Sequence, residues 1–285
     1  SNGAEPVNWS DPVTISFSGV SAAASFTYAD VGRIQLFLRP VTSQKVSGGI
    51  PFVSVPHEVR ILDIKGSDGT TPVPTPLADD SAFVIRAGVP FTVSAGAYAK
   101  GGTLTPNFGR ESDPARFTVP SVSIGANTPA GIAAMAHGDD AAAHEVPYLL
   151  PSLSGTFGIP AGGTSTAQFK WDDVGIIQLT PGIEQSTYQD IELDQLVSTP
   201  ARAGRFIPDH FQTSTSQRMP CTAKMVCGPS GVDSAAYSKE PFEVTITARS
   251  ASGLQAMNYR GVFARQVVLS AFEKAGGTQS KPGLS

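Results

Sequence analysis

The chain is poor in charged residues and in cysteine, and it has no long hydrophobic run. Charged side chains make up 15% of the 285 residues, whereas a soluble domain usually has about 25%. The net charge of −4 gives no electrostatic basis for binding nucleic acid or an anionic membrane. No segment approaches about 18 consecutive apolar residues. We therefore expect no nucleic-acid partner and no membrane insertion of this segment.

The chain has only two cysteines, Cys221 and Cys227. The stretch between them is long enough for a small disulfide-closed loop, and two free thiols in a reducing compartment are the alternative. We predict the disulfide, because the Ala-, Ser-, Thr- and Gly-rich composition is typical of an exported β protein and export permits oxidation. Two cysteines alone cannot hold a structural zinc ion. Ser1-Asn2-Gly3 shows no signal pattern, so we expect that a leader has been removed or that the chain is a piece of a longer protein.

The composition favours short strands and turns. The chain contains 29 Gly and 23 Pro, and 40% of its residues are apolar. Apolar and polar residues alternate in Val13–Phe17 and in Phe242–Ala248, as they do in half-buried strands. No stretch keeps a helical period over several turns. The length fits about two domains. The sequence therefore predicts an all-β protein built from tandem immunoglobulin-like β-sandwich units with long loops.

The most informative feature is that the chain repeats itself. Phe26–Leu36 recurs as Phe169–Leu179, 143 residues later. Shorter matches recur at an offset of 151 or 152 residues: Val55-Pro56 with Ile207-Pro208, Pro90–Val93 with Pro241–Val244, and Asn107-Phe108 with Asn258-Tyr259. A nearly constant offset indicates one structural unit that is used more than once. An active site does not need tandem copies, so we expect a modular, non-catalytic surface protein.

Both long copies contain an Asp-Val-Gly motif that resembles the corner before strand F of immunoglobulin-like sandwiches. The motif residues are Asp30, Gly32 and Ile34 in the first copy and Asp173, Gly175 and Ile177 in the second. Glycine permits the tight turn, and we expect the isoleucine to enter the sheet facing the core. The acidic pair of Asp172 with Asp173 has two interpretations, metal ligands or turn and cap carboxylates, and we favour the second.

Aligned by these matches, the chain consists of a half unit, a whole unit and another half unit. Residues 57–207 form the complete unit, with insertions in Ser121–Pro151 and Thr180–Pro200; residues 1–56 are a second half and residues 208–285 a first half. A half sandwich would expose an apolar face and open edges. We expect the halves to complete each other, within one chain or between neighbours in a head-to-tail filament. The alternative is two smaller sheets that pack on the central unit.

The string Gly204–Phe211 reads Gly-Arg-Phe-Ile-Pro-Asp-His-Phe. With the Asp-Val-Gly motif before it and the Pro-Phe-x-Val and Asn-Tyr-x-Gly strings after it, it resembles the MshQ-like domain of unknown function of the mannose-sensitive haemagglutinin type IV pilus system. The two later strings are also similar to immunoglobulin-like repeats of bacterial surface adhesins. The resemblance implies an exported, pilus-associated or cell-surface β protein with no assigned catalytic residues, and it supplies no ligand and no cofactor.

This string carries the residues that we expect to shape a bend between adjacent units. They are Arg205, Phe206, Pro208, Asp209, His210 and Phe211. We expect Asp209 and His210 to tie down the bend, Pro208 to fix the turn, and Phe206 and Phe211 to be buried on either side. An acid–base pair formed by Asp209 and His210 is the alternative.

One cluster of metal-capable side chains occurs in an Ala-rich insert. It consists of His137, Asp139, His144 and Glu145. Two histidines with a carboxylate can ligate zinc, but the separation of the histidines is not a standard ligand spacing. We therefore favour a solvated loop and predict no metal or cofactor.

The leading functional hypothesis is a non-catalytic structural or adhesive segment of an exported bacterial pilus-associated or cell-surface protein. Its partners would be other subunits or domains of the appendage, including copies of itself head to tail, and a glycan or host-surface ligand. A filament subunit assembled by strand complementation is the second hypothesis. A carbohydrate-binding accessory module is the third, in which Trp9 or Tyr148 would stack on a sugar ring; covering a hydrophobic edge is the alternative for both aromatics.

Overall fold

The computed structural model describes residues 13–38, 49–72, 85–124, 152–215, 241 and 243–270. These residues form fourteen β-strands and one short 3-10 helix, Gly261–Phe263, and the described part contains no α-helix. The prediction of an all-β protein is confirmed. Among the described residues, no helix has the length and apolar character needed to cross a membrane.

The central part of the chain forms two four-stranded sheets, which we call the central sandwich. In spatial order, the first sheet consists of β11 (Val197–Thr199), β3 (Glu58–Lys65), β5 (Phe91–Tyr98) and β7 (Thr164–Phe169). The second consists of β4 (Ile85–Arg86), β12 (Ala201–Ile207), β8 (Gly175–Ile183) and β6 (Phe117–Ile124). The edge strands β11 and β4 pair in parallel with their neighbours, and the other pairs are antiparallel.

Both sheets contribute side chains to one core. Phe91 of the first sheet and Phe206 of the second lie edge to face, with ring centroids 5.3 Å apart. Trp171 packs edge-on against Phe206 at 5.0 Å, and it is fully buried, so its predicted core position is confirmed. Alternate residues of β5 face this core, because successive side chains of a strand point to opposite sides of the sheet. The shared aromatic core holds the two sheets of the central sandwich together.

Two further strand pairs flank the central sandwich along the chain. The N-terminal pair consists of β1 (Gly32–Leu36) and β2 (Ile50–Ser54), and the C-terminal pair of β13 (His210–Ser214) and β14 (Thr245–Arg249). Each is a separate two-stranded antiparallel sheet. In the described part of the chain, the two pairs form no strand pairing with each other. β14 pairs with β13, and the expectation that the two halves complete each other stays a prediction.

The C-terminal pair has the geometry of β3 and β5. Before β3, the backbone N–H of His57 donates to the carbonyl oxygen of Tyr98 at 2.9 Å; before β13, the N–H of Asp209 donates to the carbonyl of Arg249 at 2.8 Å. The turn after each second strand also closes through matching backbone hydrogen bonds. The C-terminal pair therefore repeats the opening of the central sandwich.

The N-terminal pair resembles the pairing of β8 with β12, except that β12 has a β-bulge between Ala203 and Phe206 and β2 has none. Gly32 lies opposite Ser54 at the start of the first pairing, as Gly175 lies opposite Phe206 at the start of the second. The two flanking pairs thus correspond to the two strand pairs whose faces meet in the central sandwich. The division at residues 56 and 207 stays a prediction.

Three predicted features of the chain trace differ in the structure, and the first is that Val13–Phe17, whose alternation is typical of a strand, forms no strand. Thr180–Pro200, expected as a long loop, contains the end of β8, the hairpin of β9 (Thr187–Tyr188) and β10 (Ile191–Glu192), and β11. These strands are two or three residues long, too short for a period of two to show in the sequence. Asn107 and Phe108, expected near a strand, lie in a turn. Of the other expected loop, Ser121–Pro151, residues 121–124 end β6, and the remainder lies outside the described residues.

Candidate functional site at the junctions between repeated units

The first junction attaches the N-terminal pair to the central sandwich through Asp30. Its Oδ1 accepts the N–H of Val31 at 2.8 Å and the N–H of Asn107, 77 residues further along the chain, at 3.1 Å. The hydroxyl of Ser54 donates to the carbonyl oxygen of Asp30 at 2.7 Å. Val31 is buried in the core of the central sandwich. Val31 of this motif thus packs into the core of the central sandwich, and the Asp30 side chain accepts a backbone N–H of the central sandwich.

The second junction attaches the C-terminal pair to the central sandwich through Asp173. Its Oδ1 accepts the N–H of Val174 at 2.8 Å and the N–H of Asn258, 85 residues further along, at 3.0 Å. Val174 is buried in a second apolar cluster with Ala248 and Phe263. Both junctions therefore use the same three residue types in the same arrangement.

The glycine of each motif turns the chain from the junction into the following strand. Gly32 has a φ of 127° and Gly175 a φ of 133°, in a region that residues with a side chain rarely adopt. The same geometry at both positions explains why the motif recurs as Asp-Val-Gly. The sequence-based corner interpretation assigned the aspartate no partner in the central sandwich or the C-terminal pair.

The second junction includes a close backbone approach. The N–H of Ala251 donates to the carbonyl oxygen of Ala87 at 2.8 Å. A Cβ atom added at Gly88 would lie 2.7 Å from Oδ1 of Asp172 and 2.9 Å from the nitrogen of Ala251. Lys170 donates to the hydroxyl of Ser252 at 2.9 Å. The two units are in backbone contact, which only a residue without a side chain at position 88 allows.

Asp209 connects the central sandwich to the C-terminal pair by charge. Its carboxylate lies 3.6 Å from Nη1 of Arg86 and 3.0 Å from Nδ1 of His210. Pro208 lies partly buried between β12 and β13, and the bend that we expect from these residues stays a prediction. Phe206 is buried, but Phe211 is 41% exposed, so the expected burial of Phe211 is wrong.

Burial changes the proton affinity of the second junction. The pKa of Asp173 is raised above its ordinary value, chiefly because burial disfavours the charged carboxylate. The N–H groups of Asn258, Val174 and Met257 and the positive charge of Arg260 act in the opposite direction. The strength of this junction therefore depends on pH.

The remaining sequence-predicted site residues have these positions. Ile177 is fully buried in the core of the central sandwich, whereas Ile34 is only partly buried, and Arg205 is buried in β12. Asp172 forms an ion pair with Lys170 at 3.5 Å. Two sets of predicted residues lie outside the described part of the chain: the cysteines Cys221 and Cys227, and the metal candidates His137, Asp139, His144 and Glu145.

A cleft of about 480 Å³ lies beside the first junction. Its lining includes the carboxylates of Asp30, Glu192 and Asp194 and the basic side chains of His57 and Lys100. Within the described residues, no group of three or more His, Cys, Asp or Glu side chains could hold a metal ion. The mixed charge of the lining favours no one class of ligand.

The fold and the junctions define an all-β sandwich protein with neighbouring strand pairs attached by matching contacts. Residues 173–285 match the family model of the third domain of DUF6701, a family of uncharacterised domains. No curated protein matches the chain, and no solved structure matches it.

The matched segment begins at Asp173, the residue that forms the second junction. It therefore includes β8 and β12, which complete the central sandwich, together with the C-terminal pair. The segment that is similar to the family thus spans one junction. This match supports the family resemblance in its broader form, a domain of an uncharacterised family.

Sequence reasoning missed the role of Asn107 and Asn258. Both were recognised as repeated positions, but nothing in the local pattern connects them with an aspartate 77 or 85 residues away. One feature of the sequence indicates the contact: the asparagine and the Asp-Val-Gly motif are both repeated in the chain. Elements that are repeated together are candidates for contact with each other.

Proposed function

We propose that this protein is a non-catalytic structural segment of an exported bacterial surface protein, in which the junctions hold successive β units in a line. The observation that carries the proposal is that the same Asp–Asn contact is built twice. The resemblance to MshQ-like domains and to immunoglobulin-like repeats of adhesins supports a pilus-associated or cell-surface location. Other domains or subunits of such an appendage would be its partners.

The positions of the junctions support a linear arrangement. The N-terminal pair joins the central sandwich at the end of β5, because β2 leads to His57, whose N–H donates to the carbonyl oxygen of Tyr98. The second junction lies before the beginning of β5, at Ala87 and Gly88. An eight-residue strand is about 26 Å long at about 3.3 Å per residue. The flanking pairs are therefore attached at opposite ends of the central sandwich.

The junctions also have the physical character of a fixed connection. Each combines a buried valine with backbone N–H groups bound to a carboxylate oxygen. Burying a valine side chain contributes about 1.5–3 kcal/mol, and a hydrogen bond to a charged group contributes about 1.5–3 kcal/mol. A flexible linker would have neither contribution, so we expect the units to keep a defined orientation.

Small-angle X-ray scattering of the monomeric chain tests the proposed role. The double variant Asp30→Ala with Asp173→Ala removes both carboxylates, and we expect a larger radius of gyration and a broader distance distribution than in the wild type. Asp68→Ala is the control, because the Asp68 carboxylate binds only Thr70 and Thr71 of its own turn among the contacts described. Unchanged dimensions of the double variant, with its sheets intact by circular dichroism, would contradict the proposal.

The proposed location is tested separately in the bacterium that produces the protein. Protease added to intact cells should degrade the protein, and lysed cells should show no larger loss. Protection in intact cells would exclude a surface location. Carbohydrate binding stays a prediction, because Trp9 and Tyr148 lie outside the described residues.

A further inference from the structure

The N-terminal pair presents an apolar face to solvent. Ile34 lies opposite Phe52, and Leu36 lies opposite Ile50. Residues directly opposite each other in an antiparallel pair project from the same face of the sheet. Leu36, Ile50 and Phe52 are 41%, 66% and 50% exposed. Three large apolar side chains on one small sheet are more than a solvated surface requires.

The same positions are buried in the central sandwich. In β8 and β12, Ile177 lies opposite Ala203, and Leu179 lies opposite Ala201. Ile177, Leu179 and Ala203 are fully buried in the core, because the first sheet covers them. In the part of the chain that the structure describes, the exposed face of the N-terminal pair is therefore a core face that no opposing sheet covers.

The C-terminal pair presents the opposing kind of face. Phe211 and Ile246 occupy the positions that Val59 and Ala95 occupy in β3 and β5. Val59 and Ala95 are fully buried, whereas Phe211 and Ile246 are 41% and 37% exposed. The chain thus carries at one end the counterpart of the face that is exposed at the other.

We propose that the C-terminal pair of one copy packs face to face on the N-terminal pair of a second copy. The central sandwich is the template on the same chain, because there a β3–β5 pair covers a β8–β12 pair around a shared core. The inference rests on the proposed role as a linear segment and names its partner, a second copy of this chain.

A second copy fits better than the other end of the same chain. The two junctions fix the flanking pairs at opposite ends of β5, about 26 Å apart along an eight-residue strand. The two faces of one copy could meet only if a junction opened. The contact joins two different surfaces, so each pair of copies keeps one free face of each kind and the contact can extend head to tail.

Two variants of the full chain test the proposal. Each variant blocks one of the two faces, and the two variants are measured separately and then as a mixture. Phe52→Glu places a charge on the N-terminal face, and Ile246→Glu places one on the C-terminal face. Sedimentation velocity should show a wild-type mass that rises with concentration beyond the dimer. Each variant alone should remain a monomer. An equimolar mixture should form a dimer and nothing larger. The intact C-terminal face of Phe52→Glu can bind the intact N-terminal face of Ile246→Glu, and both faces that remain in the dimer are blocked.

Ile191→Glu is the matched control, since Ile191 is an exposed apolar residue in β10, outside both faces. It should associate as the wild type does. If circular dichroism shows that a blocking variant fails to fold, Leu36→Glu replaces Phe52→Glu on the N-terminal face, or Phe211→Glu replaces Ile246→Glu on the C-terminal face.

Three results would overturn the proposal: a wild type that stays monomeric at all concentrations, a Phe52→Glu variant that still dimerises, or folded variants that do not combine. A monomeric wild type would leave the proposed structural role intact, because the scattering experiment is made on the monomer.

Discussion

Asp30 and Asp173 make the same contact in different surroundings. Asp173 is 2% exposed and its partner Asn258 is fully buried, whereas Asp30 and Asn107 are only partly buried. Desolvation of a carboxylate raises its pKa, and a buried N–H that loses its acceptor destabilises the fold by about 1–3 kcal/mol. Substitution at the second junction is therefore expected to destabilise the fold more than substitution at the first.

The raised pKa of Asp173 predicts how its contribution varies with pH. The folded state holds the proton more tightly than the unfolded state, so this contribution to the free energy of unfolding falls as pH rises from the ordinary aspartate range through the raised value. Asp173→Asn keeps an oxygen acceptor and cannot titrate. Urea unfolding of both proteins, followed by tryptophan fluorescence between about pH 3 and about pH 7, should show the wild type losing stability relative to Asp173→Asn as pH rises.

Asp173→Ala provides the comparison for this experiment. It should be less stable than Asp173→Asn by about 1–3 kcal/mol, because the N–H groups of Val174 and Asn258 lose their acceptor. A stability difference between the wild type and Asp173→Asn that is independent of pH would show that burial does not control this carboxyl group.

At the scale of the elements, the short strand β4 positions the C-terminal pair. β4 has only two residues and ends directly before Ala87 and Gly88. The N–H of Gly88 donates to the carbonyl oxygen of Trp171 at 2.8 Å, and Ala87 accepts the N–H of Ala251. One turn thus contacts both the central sandwich and the next unit, so its conformation controls their separation.

Gly88→Ala should loosen this contact. The added Cβ would meet backbone and carboxylate atoms closer than 3 Å, at a φ of +79°. Gly102→Ala is the matched control, because Gly102 has a similar φ of +78°. A Cβ atom added there would have only Nη2 of Arg60 nearby, at 3.7 Å. Strain in φ costs about 1–3 kcal/mol in either variant, so the excess loss in Gly88→Ala measures the close approach.

Hydrogen exchange gives the local measurement for this prediction. Protection of the Ala251 amide should fall in Gly88→Ala and stay at the wild-type level in Gly102→Ala. Equal protection in both variants would mean that the turn relaxes without moving the neighbouring unit.

For the whole molecule, the arrangement of the units depends on buried contacts more than on ion pairs. The ion pairs Arg33–Asp190 and Arg86–Asp209 at the junctions involve arginine side chains that are 51% and 60% exposed, and exposed pairs contribute only about 0–1 kcal/mol. In the scattering experiment, the wild-type radius of gyration should therefore change little between about 50 mM and about 500 mM salt. Expansion at high salt would show that charge holds the units in line.

The sequence by itself determined the all-β class and the presence of repeated units. Alternation in segments such as Phe91–Val93 and the recurrence of Asp-Val-Gly are local patterns, and local patterns can be read without knowing the fold. The buried position of Trp171 followed from the same alternation.

Only the tertiary structure decided what the repeats do. Asp30 and Asn107 are 77 residues apart in the chain and Asp173 and Asn258 are 85 apart, so their contact depends on how the sheets fold back on each other. The exposure of Phe211 also depends on the tertiary arrangement of the sheets. The repeat pattern predicts that Phe211 is buried, but a side chain is buried only where an opposing sheet covers it. Among the described residues, an opposing sheet covers the core face of the central sandwich but not that of the C-terminal pair.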